Sequence, residues 1–288
     1  GDKVDMPPII VGAGSSRPRF NLMSKFTDQQ YLKTDQYKDS SNLDARVAIH
    51  QRFSTNPYGW MNWVFDRLLK FPANAKILEL GSGPGYLWRE NTSRIPSTWD
   101  VTLSDLSAGM LDSAWRNLVV TGRAYNFKEI DAQEIPFADE TFDAVIANHM
   151  LYHVPDRAKA IAEIKRVLKT GGHLFATTVG ERHMQEIYGW LEEVSNGNYV
   201  SKATVSFTLE NGLAQLKSVF PQVTLSRYDD SLRVTELEPL VAYLRSMTAL
   251  SDLQEDKLEQ IKQALQDKLE QQGSIFITKD SGMFEAMK

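Results

Sequence analysis

The residues best placed to do chemistry begin at Glu79-Leu80-Gly81-Ser82-Gly83-Pro84-Gly85. Glycine at every second position lets a backbone turn sharply and approach a ligand where a Cβ would clash. Ile77–Leu80 reads as a short buried strand leading into this turn, and a helix starts near Tyr86. Ligands of open α/β sheets sit beyond the carboxyl ends of strands, where strand order reverses, so a glycine turn between strand and helix stands at such a place. Asp105 ends the next strand, Val101–Asp105. A carboxylate there can accept from both hydroxyls of a ribose, or it can serve as a helix cap or turn residue, roles that Asp favours. Asp131-Ala132, at the end of a third strand, offers an acid and a backbone amide to an adenine edge, and Asn148 closes a fourth strand. His149, Tyr152 and His153 follow it, and His50 lies far upstream. Histidine titrates near neutral pH and suits proton transfer. The Arg46 guanidinium can clamp a carboxylate through two parallel bonds or face solvent as an ordinary helix arginine. His173 and His183 read as structural or exposed.

These groups need a scaffold, and the periodicity predicts one. Strands at Ile77–Leu80, Val101–Asp105, Tyr125–Ile130, Ala144–Asn148 and His173–Thr178 alternate with helical stretches. One helix is capped by Ser107 and carries Met110, Ala114 and Leu118 on one side; another carries Ile161, Ile164 and Leu168 and is expected to stop at Gly171-Gly172. Such alternation means a mainly parallel α/β sheet. Ahead of it, residues 1–26 read as an irregular arm and 27–73 as a broken helical cover, with Leu43, Val47 and His50 on one face and Trp60, Val64, Leu68 and Phe71 on another. The core then runs over 74–288, with a further strand at Val223–Tyr228, a helical insert at about 232–272 and a last strand in Ser274–Lys279 (SIFITK). Ser251–Gln254 is a capping box for the insert's second helix. Ile9–Gly14 imitates the start of a dinucleotide-binding fold, but no third glycine follows at the right spacing and Pro18 falls where a helix should open.

Composition narrows the field. The 288 residues are 42% hydrophobic and 24% charged, enough chain for a sizeable core. The net charge of −5 lacks the basic footprint of a nucleic-acid or membrane binder. With no cysteine there are no disulfides, thiolate metal sites or cysteine nucleophile. No apolar run approaches the ~18 residues of a membrane span, and no signal peptide is visible, so the cytosol is the expected compartment.

The segment from about Ala75 to Val179 resembles the class I S-adenosylmethionine-dependent methyltransferases: ILELGSGPGYL looks like their first motif, LSDLSAGMLDSA their second, IDAQEIPFADETFDAVIANHMLYHVPD their third and fourth, and RVLKTGGHLFATT the segment around their fifth strand. The resemblance implies a Rossmann-like, seven-stranded, mostly parallel sheet with helices on both faces and the last strand antiparallel, which SIFITK would form. It implies S-adenosyl-L-methionine as cofactor. Gly81, Ser82, Gly83 and Gly85 would pass under its methionine part, Glu79 would meet its amino group, and Arg46 is a candidate for its carboxylate. Asp105 would hold the ribose, Leu106 would lie against the adenine, and Asp131 and Ala132 would meet the adenine edge. Asn148 would stand near the methionine end. His149, His153 and His50 are the candidate bases on the acceptor side. A dinucleotide is the alternative cofactor, but NAD sites favour GxGxxG and a helix N-terminus facing pyrophosphate, whereas here the glycines alternate and Pro84 intervenes. The stretch Asn148-His149-Met150-Leu151 lacks the Asn-Pro-Pro-Tyr of relatives that methylate nucleic-acid bases, and no paired acidic cluster suggests a metal. The expected partner is therefore a small-molecule acceptor, with no nucleic acid and no membrane, for a monomer or homodimer.

Overall fold

The computed structural model describes residues 25, 27–194, 206–247 and 255–288. The arm with Ile9–Gly14 and the capping box at Ser251–Gln254 fall outside the described residues. A helical turn at 29–36 precedes α1 (Ser41–Phe53) and α2 (Trp60–Phe65). The chain then alternates: β1 (Lys76–Leu80), α3 (Tyr86–Glu90), β2 (Asp100–Asp105), α4 (Ala108–Val119), β3 (Asn126–Glu129), β4 (Phe142–Asn148), α5 (Arg157–Val167) and β5 (Leu168–Val179). It continues through α6 (Gln185–Val194), α7 (Gly212–Lys217), β6 (Gln222–Tyr228), β7 (Ser231–Val234), α8 (Leu237–Ser246), α9 (Glu255–Gln272), β8 (Ile275–Thr278) and β9 (Ser281–Met287).

Seven strands form one sheet in the order β3-β2-β1-β4-β5-β9-β6. The pairs from β3 to β5 are parallel, and β9 runs antiparallel to both its neighbours. Strand order reverses between β1 and β4, so the crevice opens beyond the carboxyl ends of those two strands. Helices cover both faces, which is why β4 is buried along most of its length. Ile161 and Ile164 of α5 pack on one face; Ala114 and Leu118 of α4, with Val64 and Leu68 of the cover, pack on the other. The Ser107 hydroxyl caps α4 by accepting from Met110 N at 3.3 Å.

Two expectations need correction. The helix α5 ends at Val167, not at the glycine pair. Gly171 and Gly172 instead lie within β5, where Gly171 has φ +75 and both bond to Lys288 of the chain's last residues. The antiparallel strand of the main sheet is β9, while the SIFITK segment forms β8 and pairs with β7 in a separate two-stranded sheet. The burial of each strand gives the reason. Ile275 and Ile277 are buried and Phe276 is 58% exposed, the alternation of a strand with one wet face. The β9 strand is buried on both faces from Ser281 to Phe284 and needs a small residue, since a Cβ on Gly282 would lie 2.6 Å from the Ser226 carbonyl oxygen.

The insert is accordingly mixed: α8 and α9 between the strands β7 and β8, with α6 packed against them. It shares one core with the cover, because Ile49 and Phe53 of α1 pack among Leu232, Leu240, Leu244 and Ile261. Ile49→Ala should therefore cost about 2–5 kcal/mol in urea unfolding, the usual cost of a cavity left by a large aliphatic side chain. A loss under about 1 kcal/mol would show that α1 only rests on the insert.

Candidate active site

A cavity of about 880 Å³ lies at the carboxyl edge of the sheet, between the glycine turn and the cover–insert unit. Pockets for single small ligands span roughly 300–1,000 Å³, so this one is at the roomy end. At its floor, Gly81, Gly83 and Gly85 have φ of +65, +51 and +75, which side-chain-bearing residues rarely adopt. A Cβ on Gly81 would sit 2.8 Å from Met150 Cβ, and one on Gly83 would press on Leu43. Gly81, Ser82 and Gly83 line the cavity; Gly85 does not. It caps α3, and a Cβ there would press on Leu118 and Leu103, so a glycine at this position lets the helix pack.

Asp105 ties this turn to β2. One carboxylate oxygen accepts from Gly83 N at 3.0 Å and the other from Ser107 N at 2.9 Å. Burial pushes its pKa up to about 6 against these bonds. It is thus both a turn residue and a cavity residue, with lone pairs left for a ligand. Glu79, 1% exposed, accepts from Trp88 Nε1 at 2.6 Å. Burial, with the Asp105 charge adding to it, pushes the Glu79 carboxyl up to about 8. Leu106, Asp131, Ala132 and Asn148 line the same cavity. Asp131 accepts from Gln29 Nε2 of the cover at 2.8 Å, and Asn148 Oδ1 accepts from Thr177 Oγ1 at 2.5 Å.

The cover supplies the facing wall. Leu43, Val47 and His50, the stripe on one face of α1, all line the cavity, while Ile49 and Phe53 turn into the insert core. Arg46 lines it too. Its guanidinium donates to the Ser246 carbonyl at 2.5 Å and Oγ at 3.3 Å, and it faces no carboxylate among the described residues. Tyr37, Tyr152, Tyr188 and Tyr243 share this side of the cavity. Burial raises the pKa of Tyr37 and Tyr152, so both remain protonated hydroxyls rather than bases. The Tyr37 hydroxyl lies 3.0 Å from His153 Nε2, joining the cover to the loop after β4.

His149 stands at the end of β4 with φ +52, held there by its N–H bonding to Thr177 Oγ1 at 2.9 Å. Its ring packs on Trp60 at 5.2 Å. Burial, then the Lys279 charge, takes its pKa down to about 4. The same two causes lower His50 well below its usual value. Burial, then His149, takes His183 down to about 3. His183, which the sequence reads as structural or exposed, lines the cavity, as do Lys279 and Asp230, which the sequence did not single out. Lys279 and Asp230 form an ion pair with side chains 7% and 0% exposed. Among the described residues, no three His, Asp or Glu side chains come together as a metal site.

All the sequence-derived site residues except Gly85 thus share one cavity. Residues 78–176 match the family described as Methyltransferase domain. The ubiquinone/menaquinone biosynthesis C-methyltransferase UbiE of Haemophilus ducreyi is 37% identical over 102 residues, 34% of this chain and 39% of that protein. UbiE of Geotalea daltonii is 31% identical over 117 residues, 40% of this chain and 49% of that protein. The chain therefore matches less than half the length of these curated relatives. Among solved structures, the [4+2]-cyclase SpnF superposes with a TM-score of 0.57 at 18% identity, over 90% of this chain and 96% of that one. Phosphoethanolamine N-methyltransferase 2 of Haemonchus contortus, with S-adenosyl-L-methionine, gives 0.55 at 24% identity, over 91% and 60%. Residues 78–176 thus match a methyltransferase-domain family, and the sheet that carries them has the fold of these solved structures.

The titrations have opposite signs. A folded Glu79 pKa of about 8 against a usual 4.5 means the folded state keeps a proton that the unfolded chain has lost, so stability falls as pH rises through that window. Asp105, raised to about 6, adds to the fall only below that pH. His149 and His183, lowered from 6.5, add stability as pH rises toward 6.5 and nothing beyond. Between pH 6.5 and 8.5 the urea midpoint should therefore drop, and Glu79→Gln should flatten the drop. Equal slopes in both proteins would place its origin elsewhere.

Proposed function

We propose that this chain transfers the methyl group of S-adenosylmethionine to a small-molecule acceptor held near the end of β4. What carries the reading is the conjunction, in one cavity, of a glycine turn that a Cβ would fill, Asp105 at the next strand end, and a partly buried Arg46 facing no carboxylate. When bound, the cofactor supplies an activated methyl: the acceptor's lone pair bonds the carbon, the carbon–sulfur bond breaks with its electrons left on sulfur, and the acceptor sheds a proton if it carried one.

The residues divide the work. Gly81, Ser82 and Gly83 admit the methionine part. Glu79 meets its ammonium and gives up its own proton to do so. Arg46, which faces no carboxylate among the described residues, gains an anionic partner, the carboxylate. Asp105 keeps its two backbone bonds and accepts the ribose hydroxyls on its remaining lone pairs. Leu106, Asp131 and Ala132 frame the adenine, and Asn148 stands at the methionine end. Most of the acceleration comes from holding two reactants in line, so the enclosing walls matter as much as any base. His149, neutral at pH 7, can take a proton; His153, bonded to Tyr37, and His50 are the other candidates. The relatives named as quinone C-methyltransferases match about a third of the chain, and the family match spans residues 78–176, which supports the cofactor more than any acceptor.

Calorimetry tests this reading. S-adenosylhomocysteine should bind and NAD should not; the reverse would overturn it. Binding without methyl transfer to any small molecule in a labelled-cofactor screen would leave a non-catalytic binding protein. Arg46→Met should weaken S-adenosylhomocysteine about 10- to 100-fold, the worth of a charge-assisted hydrogen bond. It should leave 5′-methylthioadenosine, which has no carboxylate, unaffected.

The chain would then divide at about residue 73, with the cover as a lid over the cofactor core. Since α1 shares the insert's core, opening falls to the turn ahead of it, held by Gln29 on Asp131, Lys33 on Glu129, Tyr37 on His153 and the Ser107 hydroxyl on the Tyr37 carbonyl. Polar contacts near solvent break more readily than packed cores. Hydrogen exchange should show residues 29–38 gaining protection with S-adenosylhomocysteine while α1 changes little. Identical protection in both states would make the turn plain scaffold.

A further inference from the structure

We infer that the lobe bounded by His149, His183 and Lys279 takes its acceptor through an oxygen that receives hydrogen bonds, as in a phenol or enol, and turns away ammonium-type acceptors; this rests on the methyl-transfer reading above.

The hydrogen-bonding polarity of the walls carries it. His183 Nδ1 accepts from Asp280 N at 3.1 Å, so in the neutral ring the proton sits on Nε2. A backbone bond thus fixes the tautomer, and the free edge of this imidazole is a donor. Lys279, in the same wall, can only donate. Trp60, packed 5.2 Å from His149, has an Nε1–H that is buried without a protein partner, and it too can only donate. Three donors of fixed sense face the lobe, while the neutral His149 and His50 rings each also carry an acceptor nitrogen, a mix that an oxygen bearing a proton satisfies.

The carboxylates complete the case. Asp230 is the one nearest these donors, but its side chain is 0% exposed against Lys279 and accepts from Ser54 Oγ at 2.7 Å. Asp105, Glu79 and Asp131 are bonded within the cofactor half. The other two carboxylates lining the cavity, Glu90 and Glu181, are exposed to solvent. A cationic amine would bring N–H groups against N–H groups and a charge against Lys279. Flat rings suit the remaining surface, since Trp60 and the His149 ring lie at only 37° to each other.

The test uses the full chain saturated with S-adenosylhomocysteine, whose own titration comes first. If that titration is flat, the methyl-transfer reading fails and the matter ends there. If it binds, 1-naphthol and 1-naphthylmethylamine, a matched hydroxyl and cation at pH 7.5, are titrated into the complex. Naphthol should bind at least tenfold more tightly. His183→Asn keeps an acceptor for Asp280 N but withdraws the Nε2 donor, and should weaken naphthol at least fivefold. His183→Gln restores a donor at the Nε2 position and should recover most of that loss. The amine binding as well as naphthol in the unaltered protein would overturn the inference, as would a folded Asn variant that binds naphthol normally. The comparison in the unaltered chain stands even if a variant fails to fold.

Discussion

One carboxylate holds the architecture to its task. Asp105 closes two backbone N–H groups, Gly83 from the turn after β1 and Ser107 from the start of α4. Neither donor has helix or sheet to satisfy it, and a buried unmade bond of this kind costs about 1–3 kcal/mol. The side chain therefore fixes the distance between the glycine turn and the β2 end, which is the width of the floor on which a ligand would lie. The left-handed glycines, the Leu43 contact over Gly83 and the capped α4 all depend on that spacing. A residue can thus be structural and functional at once without tension, because its two oxygens have more lone pairs than the backbone consumes.

Much of this was legible in the residues. The glycine turn, the five parallel strands and the acids at strand ends are local signals, set by neighbours in the chain, and the structure places them as expected. What was not legible depends on contacts distant in sequence. SIFITK and SGMFEAM compete for the antiparallel position, and propensity favours the first, yet the buried slot between β5 and β6 admits only a strand with Gly282 in it. His183 looked incidental because nothing near it in sequence marks the Asp280 N–H that fixes its tautomer or the Lys279 beside it. The stripe of Leu43, Val47 and His50 has the spacing of a core face, but the insert claimed the other side of α1, leaving this one to the cavity.

The cavity shows a division of electrical labour. Its cofactor half holds acids, two of them raised by burial, together with Arg46, which faces no carboxylate among the described residues. Its far half holds histidines kept neutral by burial around a closed Lys279–Asp230 pair. A zwitterion fits the first and an uncharged or anionic group fits the second.

The place of β9 also sets an order of assembly. Among the described residues, β6, which ends at Tyr228, pairs with the main sheet through β9 alone, and β9 begins at Ser281. During synthesis at ~5–20 residues per second, β6 waits roughly 3–10 s for β9 to emerge. Through that interval the β5 edge lies bare, and a bare edge invites pairing with another chain. Everything between, from β7 through β8, can collapse on the cover first, so the last strand enters a slot already formed and closes the sheet like a keystone.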